Sequence, residues 1–79
     1  MTAMIKSQLK DFLSQHIHDV DIQDDDNIFT QGWVNSIFAL QLVNFVEKNF
    51  AITVQNQELD IENFNTINHL FRYISHKLA

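Results

Sequence analysis

Between Ser36 and Phe50 the chain has almost no polar sector. Placed at the helical period, Phe38, Ala39, Leu40, Leu42, Val43, Phe45, Val46 and Phe50 cover a very broad arc, and only Gln41, Asn44 and Lys48 form a clearly polar strip. A helix apolar over most of its circumference has to be covered on more than one side. The rest of the chain must therefore supply further helices, with this one expected at the centre over about Ser36 to Asn49. Ile37 falls inside the polar strip, which predicts an exposed apolar side chain that either merely covers the core edge or touches a partner.

The approach to this helix is the other distinctive stretch. Gly32-Trp33-Val34-Asn35-Ser36-Ile37 contains the only Gly and the only Trp of the sequence. Gly32 tolerates backbone angles that a Cβ disfavours, which suits a sharp turn into the helix. Asn35 and Ser36 are both good N-caps, able to accept from the unpaired N–H groups of the first turn. Two roles suit Ser36: a cap and nothing more, or an attachment point for a phosphate-containing group, held against free N–H groups at the positive end of the helix dipole. These residues by themselves leave both open.

Elsewhere the pattern is helical at both ends of the chain. Thr2 can cap a first helix whose Ile5, Leu9, Phe12, Leu13 and Ile17 share one face, with His16 a polar residue near its end. Thr66 can cap a last helix carrying Ile67, Leu70, Phe71, Ile74 and Leu78 at core spacing, with Arg72, His76 and Lys77 toward its C-terminus, as the dipole favours. Ala51-Ile52-Thr53-Val54 alternates like a strand but has no second strand to pair with, so an extended connection packing Ile52 and Val54 inward is expected. Glu58 to Phe64 can form one short helical turn, with Leu59, Ile61 and Phe64 buried to varying degrees.

Residues 18 to 35 read as a long loop, pinned to the core by Val20, Ile22, Ile28 and Phe29. Ordered loops of this length are uncommon in small domains and are usually functional. Its aspartates do not make a calcium loop, because the Gly and the terminal bidentate Glu of that pattern are misplaced. His16, His18 and the aspartates lack zinc-type spacing, so no metal is expected and the loop reads as a solvated acidic one.

Seventy-nine residues with 46% hydrophobic content and seven Phe suffice for one small domain, 1–79, and argue against disorder. They leave no room for a deep, enclosed enzyme active site, which biases function toward carrying, binding or scaffolding. With no Cys there is no disulfide framework and no thiolate nucleophile. The first residues lack the basic and apolar regions of a signal peptide, and no run reaches membrane-span length, so a cytoplasmic location is expected. The net charge of −5 disfavours nucleic acid and anionic membrane as partners.

In this frame the chain resembles the acyl and peptidyl carrier protein family, over nearly its whole length from the first helix to Ile74. The residues carrying the likeness are Ile28-Phe29, Gly32, Asn35-Ser36-Ile37, Leu40, Glu47, Phe50-Ala51-Ile52, Val54, Phe64, Thr66-Ile67 and Leu70 with Tyr73-Ile74. Singly these are weak; their order and spacing are specific. The resemblance implies an all-α fold, a small four-helix bundle of three main helices and one short one with a long first loop. It implies that Ser36 receives 4′-phosphopantetheine from coenzyme A through a separate, magnesium-dependent phosphopantetheinyl transferase. The chain would then be a monomeric, discrete carrier rather than an enzyme. It would hold a substrate as a thioester and deliver it from an acyl- or aminoacyl-loading enzyme to downstream synthase or tailoring enzymes of a polyketide, nonribosomal-peptide or related pathway. Partners would dock beside Ser36, on Trp33, Val34, Ile37, Gln41, Asn44 and Lys48, with Glu58, Asp60 and Glu62 as a charged rim. The alternative is a carrier-like domain that is never modified and serves as a protein-interaction module.

Two departures from the family pattern stand out. Asn35 occupies the place where Asp usually precedes the modified Ser, and the second helix carries Gln41, Asn44 and Lys48 where fatty-acid carriers tend to be acidic. The neutral strip looks more like carriers of amino-acid or unusual malonyl-type units.

Overall fold

Four helices follow the chain order in a computed structural model: α1 (Thr2–His16), α2 (Ser36–Phe50), α3 (Ile61–Phe64) and α4 (Ile67–Leu78). The structure describes residues 2–79, with side chains from Met4 onward, so the expected cap at Thr2 concerns a side chain outside the described residues. The fold is an all-α bundle in which α4 packs against α1 and α3, while α1 meets α2 through aromatic rings. Phe12 lies between Phe38 and Phe45, with ring centroids 5.7 and 4.2 Å away, and His16 packs on the Phe12 and Phe38 rings.

One core draws on every helix. Leu9 and Leu13 of α1, Leu42 and Val46 of α2, Phe64 of α3 and Ile67, Leu70 and Ile74 of α4 are all buried within it. These are the positions that the 3.6-residue period places inward. Leu78 departs from that pattern. It shares the spacing of the α4 core positions, but it occupies the last helical residue and is about half exposed (48%).

The long loop earns its order through a few attachments. Ile28 is fully buried and its N–H donates to the Asn65 carbonyl at 2.9 Å, while the Asp24 carbonyl accepts from the Asn68 N–H at 3.0 Å. Lys6 Nζ donates both to Asp24 Oδ2 and to Asn68 Oδ1, each at 2.9 Å, tying the loop to α1 and α4 at one point. Lys10 adds a second ion pair to Asp24 at 3.2 Å. Together these groups hold the Asp24 carboxyl below the ordinary carboxylate range, chiefly through the hydrogen bond from Lys6.

The second connection is extended over residues 52–55, as the lack of a pairing partner requires, and then makes a 3₁₀ turn over Asn56–Glu58 before α3. Among the described residues no helix is long and apolar enough to cross a membrane.

Candidate functional site

The chain enters α2 through a compact turn. The Asn27 side-chain oxygen accepts from the N–H groups of Phe29 and Thr30, both at 3.1 Å, and Gly32 closes the turn at φ +77 with its N–H donating to the Phe29 carbonyl at 3.2 Å. A Cβ at Gly32 would meet nothing within 4 Å. The demand for glycine there is conformational, not one of space.

Asn35, in extended conformation, then caps the helix: its Oδ1 accepts from the Phe38 N–H at 3.1 Å. This settles one of the two roles read for the neighbouring serine. Ser36 is the first helical residue rather than the cap, and it is exposed. Its hydroxyl stands beside the free N–H groups of the first turn, where the helix dipole favours negative charge.

Beside Ser36 opens a cavity of about 470 Å³. Phe29 and Val34 of the loop, Ala39, Leu40 and Val43 of α2, and Leu59, Ile61 and Phe64 of the second connection form its walls, with Asn35, Ser36 and Asp60 supplying the polar groups. That volume lies in the range of small-molecule sites, which are commonly apolar with a few polar groups at fixed places.

The cavity explains a departure from the helical-wheel reading. Leu40 belongs to the broad apolar arc of α2, yet it is 68% exposed, because α3 spans only four residues and does not cover this side. Leu59 and Ile61, expected among the varyingly buried residues of the short turn, are also largely exposed, and only Phe64 reaches the core. The sequence signal for the cavity was therefore present but unreadable alone: an apolar helix face opposite a segment too short to close it.

The residues expected to meet partners fall into two groups. Ile37, Gln41, Asn44 and Lys48 are exposed along one stripe of α2, with Ile37 at 66%. Trp33 and Val34 are half-buried and pack against the core, so they support the approach to α2 while presenting only part of their surface. Of the acidic rim, Glu62 is exposed, whereas Asp60 caps α3 by accepting the Glu62 N–H at 3.0 Å. Glu58 does not serve as a free rim charge. Its carboxylate accepts from Lys77 Nζ at 3.0 Å, Tyr73 Oη at 3.2 Å and the Gln55 N–H at 2.9 Å. These donors, the Gln55 N–H foremost, hold it below the ordinary carboxylate range. No group of three or more His, Cys, Asp or Glu among the described residues is arranged to hold a metal ion.

None of the family models, curated proteins or solved structures compared with this chain matches it.

Proposed function

We propose that the chain is a carrier protein bearing 4′-phosphopantetheine on Ser36, and that its cargo is an apolar acyl group. The observation that carries this reading is the juxtaposition of an exposed hydroxyl at the first residue of α2 with an apolar cavity opening beside it. Asn35 performs the capping, which leaves the Ser36 hydroxyl for chemistry.

The residues present fit the group. The free N–H groups and dipole of α2 suit a phosphodiester on Ser36, and the apolar walls suit a chain folded back from it. In the loading step Ser36 Oγ forms the new P–O bond while the pyrophosphate link of coenzyme A breaks. The nucleotide bisphosphate leaves, and the serine proton passes to a base of the transferase. The prosthetic arm supplies the thiol that bears the cargo. Beyond presenting Ser36, this chain's own part is to shelter the cargo and to present a docking face, and it performs no turnover.

That face combines the stripe Ile37, Gln41, Asn44 and Lys48 with the exposed Leu40, Leu59 and Ile61 around the cavity mouth. Anchors at interfaces are apolar, and rim charges act mainly on encounter rate. Ile37→Asp should therefore impair delivery to a cognate enzyme more than Glu62→Lys.

The test of the whole reading is intact-mass spectrometry after incubation with coenzyme A, magnesium and broad-specificity transferases. One phosphopantetheine should be added to the wild type and none to Ser36→Ala. No mass increase with several transferases would favour the unmodified interaction module instead.

A further inference from the structure

The outer wall of the cavity is a short lip, Leu59 to Ile61, that has little core of its own: Leu59 and Ile61 are 53% and 58% exposed. Something other than burial must fix its position. The lip hangs on the residue before it. Glu58 Oε1 accepts from Lys77 Nζ at 3.0 Å and from Tyr73 Oη at 3.2 Å, both on α4, and Oε2 lies 3.3 Å from the same lysine. The same carboxylate accepts the Gln55 N–H at 2.9 Å and so closes the 3₁₀ turn. The Glu58 carbonyl accepts from the Asp60 N–H at 2.8 Å and from Asn63 Nδ2 at 2.9 Å, which passes the anchorage on into the lip and α3. At the other end of the connection, the Val54 N–H donates to Glu47 Oε2 at 3.0 Å, fastening it to α2.

We propose that Glu58 is the positioning residue for the cavity beside Ser36: by latching the lip to Lys77 and Tyr73 of α4, it sets the cavity width and thereby the grip on an apolar chain. The partners suit a lasting latch. Tyr73 is buried and its hydroxyl is pushed up to about 12, by burial first and by Glu58 second, so it stays a donor across the working pH range. Lys77 and Glu58 are each only about a quarter exposed, at 21% and 26% for their side chains. Four hydrogen-bonding contacts converge on one carboxylate, whereas the lip itself offers mostly solvent-facing groups. Segments with few buried contacts are the ones that open locally, so releasing this single anchor should free the lip before it disturbs the bundle.

The proposal rests on the cavity being the site of an apolar ligand, as the carrier reading has it, and two readouts on the unmodified full chain keep the two ideas apart. The first is amide hydrogen exchange, which needs no ligand. The second is binding of Nile red, a neutral apolar dye unaffected by the charge change in the variants. In Glu58→Gln and in Lys77→Met, exchange of the Leu59 to Glu62 amides should rise about ten-fold, with protection in α1 and the middle of α4 unchanged. Nile red affinity should fall about three- to ten-fold in both, and the double variant should be no worse than either single one, because both break the same contact. Should Glu58→Gln lose its near-UV circular dichroism, Lys77→Met, which keeps the closure of the 3₁₀ turn, carries the test alone. Unchanged exchange in the lip of a folded Lys77→Met protein would overturn the latch. Accelerated exchange with unchanged Nile red affinity would overturn the control of ligand grip. Failure of the wild type to bind Nile red at all would instead remove the apolar-ligand reading of the cavity, and with it the role of the latch in cargo binding.

Discussion

Replacing Asn35 tests the division of labour at the start of α2. Its Oδ1 takes the Phe38 N–H at 3.1 Å, and the Asn35 carbonyl already accepts the Ala39 N–H at 3.2 Å, so the residue is a full N-cap. Removing such a cap by alanine costs about 1 kcal/mol, within roughly 0.5–2. For a domain of this size that corresponds to a fall in melting temperature of about 4–8 °C per kcal/mol. Ser36→Ala should behave differently. Ser36 is exposed and already helical, so its loss should stay within about 0.5 kcal/mol. The two positions are nevertheless coupled. In Asn35→Ala the helix can begin one residue later, with Ser36 as a substitute cap. Its hydroxyl then accepts from the first turn instead of standing free, and transfer of phosphopantetheine should slow. The double variant removes the substitute as well, so it should be less stable than the sum of the single changes, by up to about 0.5–1 kcal/mol. Asn35→Asp keeps the acceptor and adds a negative charge at the positive end of the helix, a gain of about 0.3–1 kcal/mol. Thermal unfolding by far-UV circular dichroism and transferase labelling followed by intact mass give both readouts. A Ser36→Ala protein that loses as much stability as Asn35→Ala would refute the assignment of capping to Asn35. So would an Asn35→Ala protein that melts with the wild type.

Three further outcomes are expected. Leu42→Ala, which empties a fully buried site, should cost about 2–5 kcal/mol in urea unfolding, whereas Leu40→Ala on the exposed side of the same helix should stay within about 0.5; similar costs would contradict the open cavity. Gly32→Ala has room for its Cβ but not the right backbone, so a loss of about 1–2 kcal/mol is expected at φ +77. The Asp24 carboxyl is depressed in the folded state relative to its ordinary value of 3.8, so its contribution is complete at neutral pH and is lost as pH falls through the lower, folded value. Lys6→Met removes the largest cause of that depression, and its urea midpoint should therefore fall less between pH 4 and pH 2 than that of the wild type.

The carrier reading links these local features to one another. An exposed serine without a cavity could be a surface residue, and an apolar cavity without a nucleophile could be a packing defect. Here the turn from Asn27 to Gly32, the Asn35 cap and the missing cover over Leu40 bring the two together at one end of α2. The neutral strip along α2 and the apolar rim of the cavity describe a partner surface that is more apolar than charged.

What the sequence determined by itself was local. Periodicity located α1, α2 and α4, since an apolar face repeats at the pitch of the helix whatever packs against it. Capping chemistry placed Asn35 and Thr66 at helix starts, where Oδ1 and Oγ1 accept from Phe38 and His69, because a cap bonds only a few residues ahead. The need for glycine at position 32 was equally local, a matter of one φ angle. Tertiary structure alone decided which apolar residues are covered. Leu40 and Leu42 are indistinguishable in composition, yet one is 68% exposed and the other fully buried, because coverage depends on how far a neighbouring segment extends. The role of Glu58 was likewise hidden. Its partners Tyr73 and Lys77 lie 15 and 19 residues away, and only folding of α4 against the second connection turns a seemingly free acidic residue into an anchor.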